Sequence, residues 1–148
     1  MRESTEIRLV ITSATVTAKD LEARLGVKPD DAWLAGEERG TFKNKEKFHG
    51  FVLESGAPLL PFNEQLRALI KRLAACAVKL GELAPHVKAQ VQCRLQRKQV
   101  PPLDFERDDL RWLAAMGAGL EVDITVEAPP PATAKPPAPG EKPPTSGF

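Results

Sequence analysis

Acidic side chains late in the sequence are the residues whose spacing could support catalysis. Glu121 and Asp123 lie two positions apart in an alternating segment, so a β-strand would project both from one face. Paired carboxylates act as general acid and base when burial separates their pKa values. A second acidic group stands at the start of the preceding predicted helix: Asp104, Glu106, Asp108 and Asp109. Helix-start placement and cross-strand pairing with Arg8 or Arg94 explain the same acids structurally.

Histidine and cysteine are too scattered to form a recognisable metal or nucleophile site. His49 and His86 lie far apart, and neither is paired locally with a cysteine. Cys76 and Cys93 fall in apolar stretches, where each is expected to act as a small buried hydrophobe. The sequence contains no serine in a Gly-x-Ser-x-Gly elbow and no glycine-rich phosphate loop. We therefore predict no catalytic residues, no metal and no cofactor.

A basic run in a predicted hairpin loop is the second charged feature. The run consists of Arg39, Lys43, Lys45 and Lys47, relieved only by Glu46. Such a run is either a solvated loop or a phosphate-binding patch. The formal net charge is only +1, which gives no long-range attraction to nucleic acid or anionic lipid. We expect neither a nucleic-acid nor a membrane partner, and the basic loop remains an alternative protein-binding surface.

Three segments alternate polar and apolar residues with the period of half-buried β-strands. They run over residues 6–13, 87–96 and 120–127. Their predicted outer faces carry Arg8, Val10, Gln90, Gln92, Arg94, Glu121 and Asp123, with no aromatic pair on which RNA bases could stack. We predict that Arg8, Arg94, Glu121 and Asp123 form a polar sheet face that contacts a protein partner through complementary charge. A merely solvated sheet face is the alternative.

Helical signals separate these strands. Thr17 and Gly26 predict the cap and the stop of a short first helix. The clearest helix runs over residues 62–83, where apolar residues recur at three- and four-residue steps. A last helix is predicted over residues 107–116, with its apolar residues Leu110, Leu113 and Ala114 facing inward. Two further extended segments, residues 29–34 and 48–55, flank the basic loop and predict a hairpin.

The resulting order is β-α-β-β-α-β-α-β, a ferredoxin-like split βαβ with an added helix and strand. We predict an α+β fold with a mainly antiparallel sheet and helices on one face. The domain spans residues 1–127. Residues 128–148 hold eight of the 14 prolines and no apolar period, which predicts a disordered proline-rich tail.

Several local strings resemble the bacterial family catalogued as domain of unknown function 4279. They are Leu25-Gly26-Val27, Gly36-Glu37, the segments 50–55 and 113–118, and Leu120-Glu121-Val122-Asp123-Ile124. The resemblance covers about residues 6–127, and Phe51 stands where a tryptophan is expected in this family. It implies a fold and a bacterial source and brings no established catalytic residues.

Binding is the function that these observations favour. The most concrete version is a cytoplasmic immunity-type protein that occludes a toxin, because the sequence is small and shows neither an export signal nor a membrane span. Two alternatives remain open. One is a small hydrolase or ligand-binding enzyme using Glu121 and Asp123, and the other is a structural subunit of a homodimer formed through the open sheet face.

Overall fold

The elements follow the predicted order, except that a short hairpin is inserted and the longest predicted helix is divided in two. The computed structural model describes residues 2–127 of the 148-residue chain. Its elements are β1 (Ser4–Ser13), α1 (Ala18–Leu25), β2 (Asp31–Trp33), β3 (Glu38–Arg39), β4 (Asn44–Lys45), β5 (His49–Glu54), α2 (Phe62–Leu73), α3 (Ala77–Leu83), β6 (Lys88–Arg97), α4 (Arg107–Ala115) and β7 (Ala118–Val126). The short β3–β4 hairpin is inserted between β2 and β5. The predicted tail, residues 128–148, lies outside the described residues and stays a prediction.

Five strands form the main sheet, in the order β2-β5-β1-β6-β7. Neighbouring strands are antiparallel except β6 and β7, which are parallel. Parallel neighbours need a crossover connection, which α4 supplies. Residues of all four helices join a single core cluster on one side of this sheet. The predicted α+β class and mainly antiparallel sheet are confirmed.

The core lies between the central strand and α2. From β1, Ile7, Leu9 and Ile11 are at most 1% exposed, and every second residue between them faces away from the helices. From α2, the side chains of Leu66, Leu69 and Leu73 are equally buried. Complete burial of each such side chain contributes roughly 1.5–3 kcal/mol. These contacts fix which face of the sheet the helices cover.

The predicted helix over residues 62–83 is not continuous. A 3-10 turn at Ala74–Cys76 separates α2 from α3. The Cys76 thiol donates a hydrogen bond to the Leu73 carbonyl oxygen, at 3.3 Å, and this local bond accompanies the tighter turn. The turn keeps Leu73, Cys76 and Leu80 all in the core.

The predicted inward face of α4 is wrong in part. Leu113 is buried as expected, but Leu110 is 44% exposed and Ala114 is exposed. Asp109 takes the inward place of Leu110, because the buried positions 109, 113 and 116 follow steps of four and three residues. The rotation is set by packing against α2, whose Arg67 lies beside Asp109.

Both cysteines are buried and form no disulfide. Burial raises the pKa of the Cys76 thiol and raises that of Cys93 to about 12. Each therefore stays a neutral thiol near neutral pH, and both serve as the small hydrophobes that the sequence predicts.

Charged hydrogen bonds join α2 to the chain just before β2 and to the end of β5. Arg72 Nη1 donates to Asp30 Oδ2 at 2.8 Å and to the Glu54 carbonyl oxygen at 2.7 Å. The Glu54 backbone N–H donates to the same Asp30 oxygen at 2.8 Å. These bonds lower the pKa of Asp30, and the hydrogen bond from Arg72 has the largest effect. These bonds fix the end of β5, where the Glu54 side chain lies on the face of the sheet opposite the helices.

Replacing Leu73 by alanine should lower the free energy of unfolding by about 2–5 kcal/mol, since truncation of this unexposed side chain leaves a cavity. Urea titration followed by far-UV circular dichroism measures the change. Val78→Ala is the control, because Val78 is 76% exposed and should change stability by about 0.5 kcal/mol or less. Equal effects of the two substitutions would contradict the placement of the core.

Candidate binding surface

The sheet face opposite the helices carries its polar residues in rows that cross the strands. One row contains, in order across β5, β1, β6 and β7, Glu54, Arg8, Gln92 and Glu121. The next row contains Glu6, Arg94 and Asp123. Residues directly opposite each other in a sheet share a face. The structure thus brings the four predicted binding residues onto one surface, which we call the polar face.

Arg8 is held within the first row. Its Nε and Nη2 both donate to Gln92 Oε1 at 3.2 Å, and the side chain is half-buried. Burial raises the pKa of the neighbouring Glu54, Glu6 adds to that effect, and the Arg8 guanidinium opposes it. The Arg8 side chain is therefore fixed by Gln92, and the acids Glu6 and Glu54 lie near its positive charge.

Arg94, Glu121 and Asp123 differ from Arg8 in being exposed. Within residues 2–127, none of these three side chains forms a hydrogen bond or ion pair with another group. Their backbones are nevertheless fixed by the ladders of β6 and β7. The two carboxylates are exposed and therefore lack the burial that an acid–base pair needs. Charges without internal partners on a fixed backbone suit recognition of a second protein.

An aromatic side chain on the polar face escaped the sequence analysis. Trp33 pairs in register with Gly50, and its ring lies over the position that a Gly50 side chain would occupy. Arg39 stacks on this ring, with Cζ 4.5 Å from the centroid, and pairs with Asp31 at 2.7 Å. Among the described residues none accepts a hydrogen bond from the buried Trp33 Nε1. The glycine at position 50, inside an otherwise apolar strand, was the sequence feature that indicates close approach of another group.

The four cations of the predicted basic loop differ in their contacts. Arg39 belongs to β3 and is committed to Trp33 and Asp31 on the polar face. Lys43, Lys45 and Lys47 are exposed on and after the β3–β4 hairpin, where Lys45 lies opposite Glu38. The three exposed lysines therefore stay an alternative binding surface.

A cleft between α2 and α4 contains a buried carboxyl group, that of Asp109. Its volume is about 500 Å³, and Ile70, Ala74 and Trp112 contribute to an apolar lining. Asp109 is 7% exposed, with Oδ2 lying 3.7 Å from Arg67 Nε. Burial raises the pKa of Asp109, and Arg67, which also pairs with Glu106, opposes that effect.

The acids lining this cleft do not form an acid–base pair. Glu64 and Asp108 are exposed, so Asp109 is one buried carboxyl without a second buried acid beside it. The sequence analysis named Asp109 among the acids at the helix start, but it did not predict that this side chain is buried. The signal was the spacing of Asp109 with Leu113 and Met116.

The histidines have ordinary structural surroundings. The Nδ1 atom of His49 accepts a hydrogen bond from the Ala35 backbone N–H at 3.0 Å, and His86 is exposed. Across the described part of the chain, no three His, Cys, Asp or Glu side chains cluster in a way that could hold a metal ion.

Comparison with known proteins gives one match. The family model described as Domain of unknown function (DUF4279) matches residues 3–127, which confirms the resemblance inferred from local strings. No curated protein and no solved structure matches the chain. Among residues 2–127, no helix combines the length and the apolar character that a membrane crossing requires.

Gly50→Ala should lower the free energy of unfolding by about 1–3 kcal/mol, because the new methyl group would overlap the Trp33 ring and force it to move. In a Trp112→Phe background, Trp33 emission reports the displacement as a red shift. Gly119→Ala on the same face is the control, since a Cβ there meets nothing within 4 Å. An unchanged spectrum and stability in Gly50→Ala would disprove the stacked arrangement.

Asp109→Asn should stabilise the domain at pH 7, because burial disfavours the charged carboxylate and raises its folded-state pKa above the ordinary 3.8. The cost of that charge is absent below pH 3.8 and appears as the pH rises through the folded-state pKa. The stabilisation of the variant relative to the parent, measured by denaturant titrations at several pH values, should therefore decrease in acid. Asp108→Asn controls for charge removal at the helix start. A variant less stable than the parent at pH 7 would mean that the Arg67 pair outweighs burial.

Proposed function

The chain belongs to the DUF4279 family, and we propose that it is a non-catalytic protein-binding domain that docks its partner on the polar face. The observation that carries this proposal is the group of three exposed charged residues, Arg94, Glu121 and Asp123, which the sheet holds in fixed rows without partners among the described residues. Because the sheet fixes the backbone beneath them, these charges keep a constant spacing and select a partner of complementary pattern.

The size of the polar face supports the same proposal. Five strands spaced by about 4.8 Å, and up to ten residues rising by about 3.3 Å each, give a surface of roughly 20 Å by 30 Å. That area is of the order of the ~800 Å² that each partner contributes to an ordinary specific interface. The helices of residues 2–127 pack on the other side of the sheet and do not cover this surface, although Gly50 and Val52 are buried on it beside β2.

An immunity-type role is the most concrete form of this proposal. In that role the domain acts in the bacterial cytoplasm and occludes a toxin, using its mixed-charge face as the contact. The near-neutral net charge of +1 favours a partner with both signs of charge over one that binds nucleic acid by a uniformly basic surface. A toxin gene immediately upstream would support this role, and an unrelated metabolic operon would remove its main support.

A homodimer through the polar face is a second candidate, favoured by the presence of both signs of charge on one surface. A two-fold axis through that surface can bring Arg94 of one copy to Asp123 of the other. Light scattering of the full chain across a range of concentrations separates a dimer from a monomer that binds another protein. The hydrolase alternative gains no support, because Glu121 and Asp123 are both exposed.

Arg94→Ala and Asp123→Ala should leave the melting temperature within a few degrees of the parent, since exposed charges contribute about 0–1 kcal/mol. Each should weaken partner binding by about 2–5 kcal/mol, because its counterpart is left buried and unpaired at the interface. Affinity capture with mass spectrometry identifies the partner, and calorimetry measures its affinity.

Arg111→Ala and Asp104→Ala are the matched controls, because both residues are exposed and lie outside the sheet. They should leave affinity unchanged. If Arg94→Ala and Asp123→Ala also bind normally, the interface lies elsewhere, with the loop around Lys43 and Lys47 as the next surface to test. If they unfold the domain, the two residues form a structural ion pair instead.

A further inference from the structure

The two edges of the sheet differ in how they are protected. At one edge, β2 has only three residues, and Arg39 from the inserted hairpin pairs with its Asp31. At the other edge, β7 runs for nine residues with β6 on its inner side. In the part of the chain that the structure describes, no backbone group pairs with the outer side of Ala118–Val126. Short or covered edges resist strand addition, whereas a long free edge is a template for it.

The apolar side of β7 is incompletely covered. Leu120, Val122 and Ile124 face the core but are only partly buried, while the equivalent residues Val91, Cys93 and Leu95 of β6 are at most 1% exposed. Val126, at the end of the strand, is 38% exposed. The difference arises because β6 has neighbours on both sides and β7 has one. A further strand beside β7 would complete the cover of these side chains.

The charges on β7 identify what kind of strand fits. Glu121 and Asp123 end their rows, so a strand added at this edge would place its own side chains about 5 Å from the two acids. A second copy of β7 is a poor occupant. Antiparallel pairing centred on Val122 sets Glu121 against Asp123, and pairing centred on Asp123 sets that acid against itself. Lysine or arginine at those positions would instead continue the alternation of sign across the sheet.

We propose that β7 accepts an extended segment of the partner protein as a sixth strand, in which Lys or Arg alternates with apolar residues. The backbone of β7 supplies the hydrogen bonds, Glu121 and Asp123 select the basic side chains, and the Leu120, Val122 and Ile124 side receives the apolar ones. The inference rests on the proposed protein-binding function and adds the mode of binding and the chemistry of the bound segment.

A labelled peptide tests the proposal directly. The probe is capped Lys-Val-Arg-Val-Lys-Ile-Arg-Val carrying fluorescein, titrated with the full chain and followed by fluorescence anisotropy at about 0.15 M salt. The same peptide N-methylated at every interior residue keeps its charge and side chains but has lost the backbone hydrogen-bond donors of those residues. We expect it to bind at least about tenfold more weakly. Hydrogen exchange of the full chain should show slower exchange of β7 amides when the parent peptide is bound.

Charge reversal on the protein tests selection. The double variant Glu121→Lys, Asp123→Lys should lose about tenfold or more in affinity for the basic peptide and gain affinity for a peptide with Glu in place of each Lys and Arg. An unfolded variant could not show that gain. The double variant Glu64→Lys, Glu82→Lys makes the same change in net charge on exposed helical residues and should leave the preference unchanged.

The outcomes separate this inference from the proposed function. No binding of the parent peptide, equal binding of the N-methylated peptide, or equal effects of the two double variants would each overturn strand addition at β7. If strand addition is overturned but Arg94→Ala still weakens binding of the captured partner, the polar face remains the docking surface. If it does not, both proposals fail.

Discussion

Burial of the apolar face of α2 against β1 is the contact on which the rest of the structure depends. β1 lies in the middle of the sheet, so turning Ile7 and Leu9 toward the helices also sets the register of β5 and β6. Side chains alternate along a strand, and Arg8 must therefore point the other way. A slip of one residue would bury the charged row and expose the apolar one. The polar face is thus a direct consequence of core packing.

The charged residues fall into two groups. One group joins elements of the fold, and the other has no contact partner among the described residues. Arg8, Arg39, Arg67 and Arg72 each contact a partner on another element, and in this way they join strands to strands and helices to the sheet. Arg94, Glu121 and Asp123 make no such contact among the described residues, although the backbone around them is fully paired on at least one side. Positioned charges without an internal role favour recognition over stability, and this division supports the binding proposal.

Features that depend on local period could be predicted from the sequence, and features that depend on distant packing could not. Alternation identified β1, β6 and β7 and placed the four polar-face residues on one side, because strand geometry imposes a period of two. The rotation of α4 that buries Asp109 was missed, because it depends on where α2 lies. The stacking of Trp33 over Gly50 was missed for the same reason, since it joins residues of two strands whose register only the fold determines.

The pairing of β1 with β6 has a consequence for synthesis of the protein. Arg8 and Gln92 are 84 positions apart, although they are neighbours in the middle of the sheet. At about 5–20 residues per second, a ribosome takes roughly 4–17 s to make the chain between them. Contacts this distant in sequence also form slowly, because the chain between them loses conformational entropy before the contacts stabilise it. During translation the central strand β1 therefore waits without its neighbour β6, and one edge of the nascent sheet stays unpaired in that interval.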